Sequence, residues 1–298
     1  MKEMILKAKD GYNLTVHVFE AENPKAIIEV AHGMEEHQER YEDFANYLVS
    51  NGYTVVTADM RGHGKNAEVL GYFNNDNAAE QLVCDQLVIK DFIKEIYKDK
   101  DIYLFAHSMG TIIARNTLLK NSKEFKKVCL SGYPNYQPAA GIGKVLAKLI
   151  KAIKGDKYKA PLLESMSVGA FNKAVKDAKT SVDWLSYNED NVKAYIEDPL
   201  CGDPFTTNAY IALFTLVQGL NNTKAFENVN SDCPMLLVSG KDDPCTGGEK
   251  GRASSLNFLK AGGFKNIEVI TYDNMRHEIL NETNKKQVYE DVLNFFNK

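Results

Sequence analysis

Short apolar runs alternate with longer stretches of helical periodicity along most of the chain. Runs rich in β-branched and aromatic residues predict strands at 26–32, 53–59, 102–107, 127–132, 235–240 and 267–272. Helical patterns separate or follow these runs, at 41–51, 78–98, 109–121, 248–261 and 285–296. Because the strand-like runs are apolar on both faces, they predict an α/β fold with a mostly parallel sheet that helices cover on both faces.

The N-terminal residues predict a β-hairpin. Charged and apolar residues alternate over residues 1–19 around Asp10-Gly11, a dipeptide that favours tight hairpin turns. We therefore expect this segment to be part of the folded protein and not a secretory leader.

Residues 134–226 break the alternation of strands and helices. No clear buried strand is evident in this segment, and helical patterns dominate it. Ligands bind at the carboxyl ends of the strands in open α/β folds, so a helical segment after the strand at 127–132 would lie over that edge. The sequence thus predicts a core of residues 1–133 and 227–298 with a helical cap, or lid, inserted at 134–226.

One helix of this insertion, at 143–154, is strongly amphipathic. Its apolar face carries Val145, Leu146, Leu149, Ile150 and Ile153, and its polar face carries Lys144, Lys148, Lys151 and Lys154. We expect the apolar face to pack on the domain and the lysines to face water, as in most half-buried helices. The alternative is a transient contact with a membrane or micelle, which basic amphipathic helices favour.

The composition excludes several classes of partner and location. With 298 residues, 26% charged residues and a net charge of −4, the chain gives no reason to expect a nucleic-acid partner. No window approaches the ~18–20 continuous apolar residues of a membrane span. The five cysteines are scattered and lack the paired spacing of a metal site, so we expect no such metal and a reducing, cytoplasmic location. The composition leaves the oligomeric state open.

The end of the strand at 102–107 carries the pattern of a nucleophile elbow. The sequence Ala-His-Ser-Met-Gly at 106–110 places a serine between an apolar run and a helical pattern, with small residues two positions to either side. A sharp strand-to-helix turn exposes such a serine, and the small residues are needed because the two backbones crowd the turn. Ser108 is therefore the candidate nucleophile, although Ala106 stands where the motif has glycine.

A serine nucleophile needs a base, and His277 is the best candidate among the six histidines. It follows the strand at 267–272 in a loop that we expect at the carboxyl edge of the sheet. His107 neighbours Ser108 in sequence, but adjacent strand side chains point to opposite faces, so we do not expect it to serve.

The acid that orients the base should follow the preceding strand. Asp242 and Asp243 come directly after the run at 235–240, where either carboxylate could accept the imidazole Nδ1–H. The order Ser108, aspartate, His277 is the nucleophile–acid–base order of α/β-hydrolases.

Two backbone amides are candidates for the oxyanion hole. One belongs to Met109, which follows the nucleophile at the start of a helix. The other should lie after the strand at 26–32, where His32-Gly33 turns away from the sheet, and there we expect the Met34 N–H.

Five segments carry a further pattern when they are taken together. They are His-Gly-Met-Glu-Glu-His-Gln-Glu-Arg-Tyr at 32–41, Asp-Met-Arg-Gly-His-Gly at 59–64, Ala-His-Ser-Met-Gly at 106–110, Gly-Lys-Asp-Asp at 240–243 and Arg-His-Glu-Ile-Leu-Asn-Glu at 276–282. This set resembles the monoacylglycerol lipase and lysophospholipase family of serine α/β-hydrolases, nearly throughout the chain and least over 134–226. The resemblance implies an α/β-hydrolase fold and ester hydrolysis through a covalent Ser108 intermediate, with no metal or organic cofactor.

The resemblance also assigns roles to single residues. It selects Asp243 over Asp242 as the acid and supports Met34 as the oxyanion residue. It implies that His63 holds the loop after the strand at 53–59. It further implies that four residues fix the turn beneath the oxyanion loop, namely Glu36, His37, Arg40 and Tyr41.

The leading hypothesis is a serine hydrolase that cleaves esters of lipid-like substrates such as monoacylglycerol or lysophospholipid. A general short-chain carboxylesterase or thioesterase could use the same residues, and amide hydrolysis is a more remote third reaction. Haloalkane dehalogenases and epoxide hydrolases need an aspartate where this chain has Ser108, which excludes both. The non-enzymatic alternative is a binding protein that retains the fold.

Overall fold

A single mixed sheet forms the centre of the molecule. The computed structural model describes residues 1–74 and 76–298, and within them eight strands pair in the order β1-β2-β4-β3-β5-β6-β7-β8. The strands are β1 Lys2–Lys7, β2 Asn13–Phe19, β3 Ile27–Ala31, β4 Thr54–Ala58, β5 Ile102–His107, β6 Lys127–Ser131, β7 Met235–Gly240 and β8 Ile267–Tyr272. All six strands predicted from the apolar runs are present.

The pairing confirms the predicted architecture. Strands β1 and β2 form the antiparallel hairpin, and β2 also runs antiparallel to β4. The remaining pairs are parallel, so the carboxyl ends of β3 to β8 meet at one edge of the sheet. The register pairs Ala31 with Ala106 and His107 with Ser131, which brings three strand ends side by side.

Ten α-helices surround the sheet within the described part of the chain. They are α1 Glu42–Ser50, α2 Ala78–Ile96, α3 Met109–Asn121, α4 Ala140–Lys154, α5 Pro161–Met166, α6 Val168–Phe171, α7 Glu189–Glu197, α8 Thr207–Gly219, α9 Gly248–Ala261 and α10 Lys285–Asn297. Among these described helices, none combines the length and the apolar character that a membrane crossing requires.

The sheet separates two hydrophobic clusters. Leu82 of α2, Ile112 of α3 and Leu259 of α9 pack on one face, together with apolar side chains of α8. Phe44 of α1 and Val292 of α10 pack on the other face. Burial of large apolar side chains on both faces is the main stabilisation of such a layered fold.

The last strand departs from the expected burial. Strand β8 is at the edge of the sheet, and Glu268, Val269 and Thr271 are exposed. The sheet as a whole is covered on both faces, as predicted, but β8 at its edge is more exposed than the other five predicted strands.

Helix α4 packs in a way that the sequence does not predict. Its buried residues are the small ones, Ala140, Gly143 and Ala147, and a side chain at Gly143 would collide with the Phe214 ring of α8. Leu146 and Ile150 are partly buried against the core, but three residues of the predicted packing face are exposed: Val145 (59%), Leu149 (58%) and Ile153 (79%). The expectation that the whole apolar face packs on the domain is wrong, because close approach to α8 requires the small residues.

Candidate active site

The turn between β5 and α3 presents Ser108. Its backbone is in the left-handed region, with φ of +49°, and its N–H donates to the Ser131 carbonyl at 2.9 Å. A Cβ at Gly110 would lie 2.4 Å from the Ala31 carbonyl oxygen, so only glycine lets α3 start this close to β3. Ala106 is fully buried, and the turn forms with alanine at the position where the motif has glycine.

The structure brings Ser108, His277 and Asp243 into one hydrogen-bonded row. Ser108 Oγ lies 2.8 Å from His277 Nε2, and His277 Nδ1 lies 2.9 Å from Asp243 Oδ2. The second oxygen, Asp243 Oδ1, accepts the Cys245 N–H at 2.8 Å, which fixes the carboxylate. Asp242 instead accepts the hydroxyl of Tyr187 and is not part of the row.

The loop that carries His277 packs directly on the end of β7. A Cβ at Gly240 would lie 2.2 Å from the carbonyl oxygens of both Met275 and Arg276. The glycine that ends β7 therefore lets the loop approach closely enough for His277 to reach Asp243.

The surroundings of His277 stabilise the protonated form of its imidazole. Burial alone would lower the pKa of His277, but the charge and hydrogen bond of Asp243 outweigh it and raise the pKa above its usual value. The rings of Trp184 and His107 pack on the imidazole, with centroids 4.9 and 4.7 Å away. Burial lowers the pKa of His107 to about 4, so that imidazole stays neutral near pH 7.

The loop after β3 lies beside the serine. Gly33 N–H donates to Glu36 Oε1 at 2.5 Å, and a Cβ at Gly33 would lie 3.1 Å from Ser108 Cβ. Met34 follows in this loop and lines the same cavity as Ser108 and Met109. Met109 is the first residue of α3, where backbone N–H groups have no acceptor within the helix.

Of the four residues expected to fix this loop, three act together. Glu36 accepts hydrogen bonds from Gly33 N–H, from the Tyr41 hydroxyl at 2.8 Å and from Arg40 Nη1 at 2.9 Å. His37 turns away from them and meets Asp198 of the insertion at 2.8 Å.

A buried ion pair that the sequence does not predict links the two loops that flank Ser108. Arg40 binds Glu278 through two hydrogen bonds of 2.5 and 2.7 Å. Burial would raise the pKa of Glu278, but the Arg40 guanidinium outweighs it and holds that pKa below the usual value. Both residues belong to the segments that carried the family resemblance, and this is the only signal that the sequence offers for the pair.

His63 has the structural position that the resemblance implies. Its ring contacts the ring of His32 with centroids 5.0 Å apart, and its Nδ1 lies 3.2 Å from the Arg61 carbonyl. His32 Nε2 accepts the Met60 N–H at 2.9 Å, so His32 also holds the loop after β4. Burial lowers the pKa of both imidazoles to about 3, which keeps them neutral.

A largely apolar cavity of about 380 Å³ opens above Ser108 and His277. Helices α5, α6 and α8 supply much of its wall, with Leu163, Met166, Val168, Phe171, Leu213 and Phe214. The residues that cover the serine thus come from the segment between β6 and β7. The wall that these helices supply is apolar, as is usual for a small-molecule site.

Comparison with known proteins places the chain in a family. A family model described as "Serine aminopeptidase, S33" (Hydrolase_4) matches residues 22–284. The chain belongs to this family. It is a hydrolase of the lipase and esterase type, and its resemblance to monoacylglycerol lipases and lysophospholipases is confirmed.

Individual relatives are distant in sequence but similar along their length. "Phospholipase YtpA" of Bacillus subtilis (strain 168) is 24% identical over 93% of this chain and 97% of its own length. "Monoglyceride lipase" of Mus musculus is 28% identical over 74% of this chain and 66% of its own length. The crystal structure of a carboxyl esterase from Bacillus coagulans superposes with a TM-score of 0.90 at 22% identity, covering 99% of this chain and 97% of that one. The likeness confirms the predicted α/β-hydrolase fold.

Two groups of side chains within the described residues bring three metal-ligand atoms within 4.8 Å of one another. In the group of Asp243, Cys245 and His277, the imidazole already uses both nitrogens toward Asp243 and Ser108. In the second group, which is His37, Asp198 and Cys201, His37 Nε2 already pairs with Asp198 Oδ2 at 2.8 Å. In both groups the imidazole is thus engaged with other side chains of the protein.

Proposed function

We propose that the protein is a serine hydrolase that cleaves carboxylic esters through a Ser108 acyl-enzyme. His277 takes the proton of Ser108 as the hydroxyl attacks the carbonyl, and then gives it to the leaving alcohol. Asp243 stabilises the imidazolium, and the amides of Met34 and Met109 donate to the oxyanion. Water then repeats the sequence and releases the acid.

The row of hydrogen bonds at the floor of an apolar cavity is the observation that carries this proposal. The serine, the imidazole and the carboxylate have the order, distances and burial that general-base catalysis needs. No step of this reaction requires a cofactor, because the nucleophile, the base and the oxyanion donors are all groups of the chain.

Ser108→Ala tests the proposal directly. We expect it to abolish labelling by a fluorophosphonate and to lower kcat on an ester by a factor on the order of 10⁶. Ser122→Ala is a matched control, since Ser122 is also buried but does not line the cavity. Wild-type protein that neither takes the label nor hydrolyses esters would favour the alternative of a binding protein.

For the substrate we propose a lipid-like ester, a monoacylglycerol or a lysophospholipid. The apolar lining of the cavity and the names of the relatives support this class. A series of p-nitrophenyl and glyceryl esters from C2 to C16 should show the highest kcat/KM at C8 or longer. Activity confined to acetyl and butyryl esters, or higher on the matching thioesters, would favour a short-chain esterase or thioesterase instead.

We further propose that residues 134–226 act as a lid that contacts a lipid surface. Ile142, Val145, Leu149 and Ile153 form an exposed apolar stripe along α4, and Leu162 and Met166 are exposed on α5. Gly143 of α4 and Met166 of α5 also line the cavity, so both helices border the substrate site. Lys148 is exposed beside the stripe and would attract anionic headgroups.

Replacing Val145, Leu149 and Ile153 together with Ser should lower activity on mixed micelles of an anionic detergent by about tenfold and leave a water-soluble ester within twofold. Ile196→Ser removes an equally exposed isoleucine from α7 and is the control. Equal losses on both substrates would reject the surface contact.

For the location we propose the cytoplasm. All five cysteines are free, which fits a reducing compartment. Fractionation of the source cells with an antibody to the chain tests this.

A further inference from the structure

One carboxyl group beside the candidate oxyanion hole is buried against another carboxyl group. Glu35 directly follows Met34, is only 6% exposed and lines the cavity of Ser108. Its carboxyl group lies against that of Glu164 of α5, so that two acidic groups face one another. Within the described residues, Glu35 Oε1 is buried with no hydrogen-bond partner.

The backbone at Glu35 is also held by the insertion. Glu35 has φ of +56°, a left-handed conformation that costs free energy for a residue with a side chain. Its carbonyl oxygen accepts hydrogen bonds from Gly202 N–H and from the Tyr195 hydroxyl, both at 2.9 Å. Three contacts from residues 134–226 therefore converge on this residue.

These contacts bear on the orientation of the Met34 amide. On one side of Met34, Gly33 N–H is fixed by Glu36, which belongs to the core. On the other side, Gly202 and Tyr195 hold the Glu35 carbonyl, and the Glu35 carboxyl group lies against Glu164. The N–H of Met34 thus lies in a short loop whose two ends are held by different parts of the molecule.

The charges around the pair favour a shared proton. Glu164 also accepts the hydroxyl of Tyr210 from α8, and Asp203 adds a further negative charge. Lys159 is the nearby cation, but its ammonium already binds Asp203 at 2.7 Å and the Pro204 carbonyl at 2.9 Å. Burial first, and then the negative charge of Glu164, raise the pKa of Glu35 well above its usual value.

We propose that Glu35 and Glu164 are positioning residues, a hydrogen-bonded carboxyl pair that ties α5 to the oxyanion loop and so sets the Met34 amide for catalysis. This inference rests on the proposed function, since it gives Met34 its role. While the pair keeps one proton, the lid and the loop are joined. When that proton is lost, two carboxylates repel one another at short range and the loop is released.

The proposal predicts a loss in kcat and not in substrate binding. Glu35→Ala and Glu164→Ala should each lower kcat at least tenfold, and by no more than the ~10²–10³ that removal of an oxyanion donor costs, while KM changes less than threefold. Glu35→Gln should recover most of that loss, because its amide can still donate to Glu164. Glu197→Ala, which removes an exposed glutamate of α7, is the control.

The pH profile separates positioning from a merely structural role. Wild-type kcat should fall on the alkaline side as the pair loses its proton. In Glu164→Gln a neutral amide replaces the carboxylate that would repel Glu35, so the decrease of kcat at alkaline pH should disappear. The affinity for a trifluoromethyl ketone, which forms an oxyanion on Ser108, should drop in the alanine variants in parallel with kcat.

Alanine variants with wild-type kcat, or a Glu164→Gln enzyme that retains the wild-type alkaline profile, would overturn the inference. If the alanine variants do not fold, as judged by circular dichroism, the glutamine variants decide. Ester hydrolysis that needs Ser108 but ignores both glutamates would refute only the inference. Hydrolysis that persists in Ser108→Ala would refute the proposed function itself.

Discussion

At the scale of single residues, the chemistry of the site is set by what surrounds each polar group. Ser108 and His277 could be chosen from the sequence because each follows a strand at the same edge of the sheet. The same argument narrowed the acid to Asp242 or Asp243, and the family resemblance selected Asp243. Their partners could not be chosen in this way. The Arg40–Glu278 ion pair and the Glu35–Glu164 contact join residues that are distant in sequence, and nothing in the local pattern of either residue indicates its partner.

The raised pKa of His277 gives a pH dependence with a defined sign. Only the neutral imidazole can act as a base, so kcat/KM on a soluble ester should rise with pH through an apparent pKa above the ordinary value of about 6.5. Asp243→Asn removes the charge that raises this pKa and should cost roughly 10⁴ in kcat. His107 titrates too low to contribute. A profile that stays flat between pH 8 and pH 5 would contradict the assignment of His277 as base.

At the scale of elements, periodicity identified the helices and strands but not the neighbours of each face. The apolar positions of α4 were visible in the sequence. The fit between α4 and α8 decides which residues are buried. It places the small residues of α4 against α8 and leaves the apolar stripe exposed. The edge position of β8 likewise follows from the order of strands in the sheet, which local sequence does not encode.

The junction of β7 with the loop after β8 is a sensitive contact between elements. Gly240→Ala would place a methyl group 2.2 Å from two carbonyl oxygens and should displace the loop of His277. We expect at least a tenfold loss of kcat and a decrease of about 1–3 kcal/mol in the free energy of unfolding, measured with urea.

Gly141→Ala is the matched control for this change, because its methyl group would meet only the flexible end of Gln218, at 3.3 Å. It should leave both quantities near the wild-type values. If Gly240→Ala behaved like Gly141→Ala, the close packing of this loop would not be what positions His277.

At the scale of the whole molecule, the alternation of strands and helices in the sequence predicts the fold of the core far better than it predicts the structure of residues 134–226. Parallel strands with crossover helices have few alternative arrangements. A short helix such as α5 has no such constraint, and it takes its place from the contacts of Glu164 with Glu35 and with Tyr210 of α8. The residues that line the cavity could therefore not be predicted from the sequence.

The stability of the whole fold should depend on pH through Glu29, in the middle of β3. Burial raises its pKa to about 8, so the folded state holds a proton that the unfolded chain releases near pH 4.5. Binding of this proton contributes to the free energy of unfolding. The contribution is complete at low pH and is lost as the pH rises from about 4.5 to about 8. Each unit of difference in pKa corresponds to about 1.4 kcal/mol.

The free energy of unfolding, measured with urea, should therefore fall between pH 5 and pH 8. Glu29→Gln should remove this pH dependence and should stabilise the protein most at pH 8. Glu22→Gln, at an exposed position, should keep the wild-type slope. An unchanged slope in Glu29→Gln would show that this carboxyl group is already ionised in the folded state.

The contact between Trp184 and His277 has a practical consequence. Trp184 is the sole indole of the sequence, and its ring lies against the imidazole of the proposed base. Protonated imidazole quenches indole fluorescence, so the emission of the unmodified protein should dim as that histidine gains a proton. A pH titration of the emission would thus follow the protonation of His277 without any dye, from a chromophore that the chain itself supplies.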